Sequence, residues 1–134
     1  MLASGTMLLA TDALSAQRTL GFYMLVACDL SSSQLADFAH LHGNSESLLK
    51  FGMTYDAKAA QLLNQRVFDT FVQRNITDMQ EMMHSKGFDE LCNNLTEAER
   101  KELSIKWGHE TAVYILTIDD IREHYIIPAI LQVT

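Results

Sequence analysis

The chain has little that would interrupt a helix: one proline and six glycines in 134 residues, the glycines scattered singly. A sequence so poor in breakers reads as helix from end to end. It also lacks the glycine-rich phosphate loops, G-x-G-x-x-G turns and G-x-S-x-G elbows of nucleotide and serine-hydrolase chemistry, so those classes have no local support. Cysteine is scarce. Cys28 and Cys92 stand 64 residues apart, without a second pair or a CxxC, which excludes a zinc site or thioredoxin-like motif of ordinary spacing. No stretch approaches the ~18 continuous apolar residues that cross a bilayer, and no membrane partner is expected. Basic side chains number ten against seventeen acidic, for a formal charge of -7. Nucleic-acid binding is therefore disfavoured, because counterion release from phosphate needs lysine and arginine gathered in a patch.

What is present is an ordinary globular balance, 48% apolar and 20% charged, in a chain long enough to bury a core. The expected fold is all-α: a single compact helical bundle-like domain over residues 1–134, with about four longer helices and two or three short ones. Thr11 and Asp12 precede a long apolar run, Ala13 to Cys28, that reads as the first helix. Ser31-Ser32-Ser33-Gln34 has the form of a capping box. The second helix it opens carries Leu35, Phe38, Ala39 and His42 on one stripe and is expected to stop at Gly43, where a left-handed residue would end it.

Thr54 is expected to cap a third helix, striped by Ala60, Leu63, Val67, Phe68, Phe71 and Val72 at three- and four-residue spacing. Thr77-Asp78-Met79-Gln80 is a second capping box, for a helix ending at Gly87. Residues 88–94 read as a short connecting helix. Thr96-Glu97-Ala98-Glu99 is the cleanest cap, with acids in the first turn where the macrodipole favours them, and it opens a helix reaching about Leu116. Thr117-Ile118-Asp119-Asp120 would cap a last short helix, which Pro128 must end.

Both cysteines sit in apolar contexts with no basic neighbour in sequence to lower the thiol pKa. The first reading is a pair of buried thiols in a cytoplasmic protein. The alternative is an exported, periplasmic protein with a Cys28–Cys92 disulfide. Residues 1–16 end in small residues, as a leader cut after Ala16 would. Arg18, however, is the first basic residue and Asp12 breaks the apolar run, so the features that drive export are missing.

Two acid-x-x-His pairs, Asp37–His40 and Glu81–His84, are the sharpest candidates for chemistry. Residues at i and i+3 share a helix face, and two such pairs with two further carboxylates build the di-metal centre of ferritin-like bundles. A metal-binding bundle or bundle enzyme is thus the alternative functional reading. Asp37 and His40 nevertheless share a face with Ser33 and Ala36, and Glu81 and His84 share one with Thr77 and Gln80, away from the apolar stripes. Both pairs are expected to face solvent, and no cofactor is expected. His42, on an apolar stripe, reads as a hydrogen-bonded core or boundary histidine.

Surfaces offer more. Met82 and Met83, with Met79, Phe88 and Leu91, form a soft group of the kind used at binding surfaces. Asp119, Asp120 and Glu123 line one helix side, opposite Ile118, Ile121 and Tyr125. From Tyr125 to Val133 only Gln132 is polar, although domain ends usually fray, so this tail belongs either in its own bundle or against a partner. The acidic excess is also uneven: residues 1–67 hold four basic and five acidic side chains, residues 68–134 six and twelve. The expected function is a non-enzymatic, protein-binding helical domain: an inhibitor, an immunity or adaptor protein, or an assembly subunit. It would bind another protein with a basic surface through Met82, Met83, Asp119, Asp120, Glu123, Tyr125, Ile130 and Leu131, and would also form a homo-oligomer.

Overall fold

Ala3, Met7, Ala10, Leu14, Gln17, Gly21 and Met24 recur at alternating steps of four and three, the spacing that keeps one stripe of a helix against a neighbour. In the computed structural model, which describes residues 2–28, 32–68, 70–83 and 86–133, they are the buried face of one long helix, α1 (Leu2–Ala27). It is followed by α2 (Ser32–Tyr55), α3 (Ala57–Arg66), α4 (Phe71–Met82), α5 (Lys86–Asn94) and α6 (Glu97–Ile121). A π-helical turn (Arg122–Ile126) then leads into α7 (Ile127–Val133). Among the described residues there is no strand, and no helix is long and apolar enough to cross a membrane.

The bundle is organised around α1. Gly52 of α2 lies beside Ala3 and Thr6, whereas Phe38 offers its carbonyl to Gln17, so α2 runs antiparallel to α1. The Arg18 Nε donates to the Gly108 carbonyl at 2.9 Å and an Arg100 nitrogen to that of Val26 at 3.3 Å, so α6 is antiparallel on the other flank. The buried stripe of α6, Ser104, Trp107, Thr111, Tyr114, Ile118 and Ile121, repeats the three-four spacing of α1.

Two apolar clusters form the core. One joins the first half of α1 to α3, the end of α6 and Ile126. The other gathers Met24, Leu25, Phe38, Met79, Met83, Phe88 and Trp107. A polar layer lies between them: Gln80 donates to the Gln17 side-chain oxygen at 2.9 Å, Gln17 donates onward to Phe38 O at 3.4 Å, and both glutamines are buried. Buried amides are tolerated when they are hydrogen-bonded, and a satisfied pair of this kind sets register between helices.

Several expected boundaries move, each because packing continues a helix past a local signal. α1 begins near residue 2, not after Thr11, whose hydroxyl simply donates back to Leu8 O at 2.9 Å. A cut after Ala16 would remove Ala3, Met7, Ala10 and Leu14 from the core. Gly43 does not end α2: Ser45, Leu49 and Gly52 lie about two, three and four turns further along the face that Phe38 buries, and no described glycine has positive φ. The cap of α3 is Asp56, whose carboxylate accepts from Ala59 N at 3.0 Å, and not Thr54.

Thr77 lies inside α4, whose N-cap is Thr70, so the second capping box is not used as a start. The Ser31 box falls partly outside the described residues. Thr117 likewise continues α6. Beyond it, the π-turn inserts one residue, leaving Tyr125 exposed and returning Ile126 to the core five positions after Ile121. Pro128 is carried inside the helical path instead of ending it, at the second position of α7, where the wider turn precedes its ring.

The cysteines also correct the first reading. Cys28, at the end of α1, is bonded to Cys92 of α5 with Cα atoms 5.9 Å apart, and no described cysteine is free. The disulfide, Phe88 and Leu91 are what tie α5 to the bundle.

Candidate functional site

The residues expected to carry chemistry separate in space. Asp37 and His40 are exposed on α2 and Glu81 is exposed on α4, while His84 lies outside the described residues. No group of three or more His, Cys, Asp or Glu able to hold a metal ion occurs among the described residues.

The residues expected to bind a partner also divide. Met82 is exposed, but Met83 is 1% exposed in the second core cluster and cannot meet a partner: its neighbours Phe88 and Trp107 complete that cluster. Asp120 is held by Arg66 at 2.6 Å and by His124 at 2.9 Å, and the Arg66 hydrogen bond keeps its carboxyl below the usual carboxylate range. Glu123 meets Arg122 at 3.4 Å. Asp119 is half-buried, and burial raises its pKa against the opposing pull of Arg122. The acidic side of the α6 end is thus largely compensated by its own cations. Tyr125 and Leu131 are exposed, and the Ile130 side chain lies outside the described residues.

Two other features stand out. The first is the outer face of α1. Only Asp12 and Arg18 are charged in its 26 residues, and Leu2, Leu8, Leu9, Phe22, Tyr23 and Val26 are each roughly half exposed. A surface helix normally carries a charged outer side, and one apolar all round is normally covered. The face continues onto α6: Phe22 and Val26 share a groove of about 290 Å³ with Ile105, and Ser15 and Thr19 share another with Ile115 and Leu116. The low charge of residues 2–27 was readable in the sequence.

The second feature is a polar cleft of about 430 Å³ between α2 and α4, floored by Leu14 and Tyr114. His42 lies in its wall, with Nε2 3.7 Å from Glu46, and Glu46 meets Lys50 at 3.0 Å. Burial lowers the His42 pKa, partly offset by the Glu46 and Glu81 carboxylates. The folded protein therefore binds a proton at His42 less readily than the unfolded chain does. Its contribution to stability falls as pH drops through the ordinary histidine value towards the lowered one. The expected result is a melting temperature that decreases between about pH 7.5 and about pH 5.5, with part of that decrease absent from His42→Gln. Identical pH profiles for the two proteins in thermal denaturation would contradict it.

No family model, no curated protein and no solved structure matches this chain.

Proposed function

We propose that this chain is a non-enzymatic, protein-binding helical domain whose binding face is the outer side of α1 with the adjoining edge of α6, and that the face pairs with a second copy. The observation that carries the reading is the near absence of charge on a long, solvent-facing helix. With Ile105 and Leu116, the half-exposed side chains of α1 form an apolar face that runs from Leu2 to Val26. An apolar patch of that size is rare on a monomer.

A second copy fits the charges. In an antiparallel pairing centred on Ser15, Asp12 of each copy lies level with Arg18 of the other, and Leu8 lies level with Phe22. Pairing there also keeps the acidic excess of residues 68–134 out of the α1 seam. The disulfide supports an oxidising compartment in place of the cytoplasm, because thiol reductants keep such pairs open inside the cell.

Sedimentation velocity tests the reading. The full chain is expected to sediment as a dimer, and Phe22→Asp with Val26→Asp to sediment as a monomer of unchanged helicity, since both positions are exposed. Ser15→Cys is expected to cross-link two copies under mild oxidation. A monomeric wild-type protein, or a dimer untouched by the double substitution, would refute the pairing.

A further inference from the structure

The cleft between α2 and α4 plays no part in the pairing of α1, and it is built for something small. Its floor includes Leu14 and Ile76, apolar and sized for methylene groups. Its walls carry three carboxylates, those of Glu46, Asp78 and Glu81, against the single guanidinium of Arg74. Gln80 donates one amide N–H to Gln17, which holds its side chain in place beside the cleft.

Tyr114 supplies the independent observation. It is 6% exposed, and its hydroxyl makes no hydrogen bond among the described residues. Tyr114 is among the residues that line the cleft, so its side chain faces the site. Burial, with Glu46 nearby, raises the phenol pKa and keeps the group neutral. A buried hydroxyl without a protein partner is completed by water or by a ligand.

Carboxylates thus outnumber guanidinium groups around an apolar floor. We propose that this cleft binds a small organic cation, an alkylammonium of a few carbons, whose N–H groups are taken by Glu46, Glu81 and the Tyr114 oxygen while its methylenes lie on Leu14 and Ile76. A simple anion is disfavoured because it would face three carboxylates for one arginine. A bare divalent ion is disfavoured because the described residues include no ligand cluster for it.

Calorimetric titration of the full chain with 1,4-diaminobutane, at fixed ionic strength, decides the matter. The expected result is saturable one-to-one binding, weakened roughly tenfold by Glu81→Gln and by Tyr114→Phe, each of which removes one charge-assisted hydrogen bond. Both variants are expected to fold, since Glu81 is exposed and phenylalanine keeps the buried ring. The absence of saturable heat, equal affinity in wild type and both variants, or saturable binding of inorganic phosphate or Mg²⁺ in place of the diamine would overturn the proposal.

Discussion

Gly21→Ala is expected to destabilise the protein by about 2 kcal/mol, lowering the melting temperature by roughly 6 °C. Two effects oppose each other at this position. Alanine is the better helix former by about 1 kcal/mol. Against that, a Cβ built on Gly21 would clash with Trp107 Nε1 and stand 2.6 Å from the adjoining ring carbon. The indole cannot easily retreat. It is fully buried, donates to Arg18 O at 3.0 Å and packs on Phe38 with ring centroids 5.6 Å apart. Moving it would break that hydrogen bond or open the second core cluster, so overpacking wins. Gly43→Ala is the control: nothing lies within 4 Å of the added carbon, and there the helix preference alone should stabilise by about 1 kcal/mol. Urea denaturation of the two variants, followed by circular dichroism, is expected to move the midpoint in opposite directions. A Gly21→Ala protein as stable as wild type would show that α1 and α6 are not packed this closely.

Removing the disulfide is the second large effect. Cys28→Ser with Cys92→Ser opens a loop whose ends are 64 residues apart in sequence, and the chain-entropy model assigns such a cross-link about 4 kcal/mol. That is a sizeable part of the stability of a domain this long. The loss should be concentrated in α5, whose other attachments to the bundle are Phe88 and Leu91. Hydrogen exchange is therefore expected to speed up across residues 86–94 before the α1–α2–α6 core is affected. Wild-type protein treated with a thiol reductant should match the double variant in urea. A midpoint unmoved by reductant would mean that the two sulfurs are not bonded.

Much of the fold was legible because it rests on local chemistry. The Thr96 capping box forms in full: Glu99 N donates to the Thr96 hydroxyl at 3.2 Å and Thr96 N to the Glu99 carboxylate at 3.0 Å. The Thr77 box has a similar pattern and forms no start, because α4 was already helical six residues earlier. A cap motif marks a helix start only where nothing upstream supplies the preceding turn. Gly43 and Pro128 mislead as well. Gly43 weakens a helix by only about 1 kcal/mol, which burial of Leu49 further along outweighs, whereas Pro128, which would cost about 3 kcal/mol inside a regular helix, falls at the second position of α7, after the π-turn.

The candidate sites were less legible. The expected stop at Gly43 separated His42 from Glu46, an i,i+4 pair that continuous helix brings within 3.7 Å. The compensation of Asp120 by Arg66 joins α6 to α3, and no spacing rule reaches from residue 66 to residue 120.

By itself, then, the sequence determined an all-α chain, the Thr96 cap and the poverty of charge along residues 2–27. These follow from backbone preference and from side chains a turn apart, which neighbouring residues settle among themselves. Tertiary structure alone decided that Cys28 meets Cys92, that Met83 is core, and that α2 and α6 run on past their expected ends. It alone placed the Tyr114 hydroxyl under a cleft walled by α2 and α4. Each of these depends on which surfaces of distant segments exclude water together, and that free energy is not a property of any one segment.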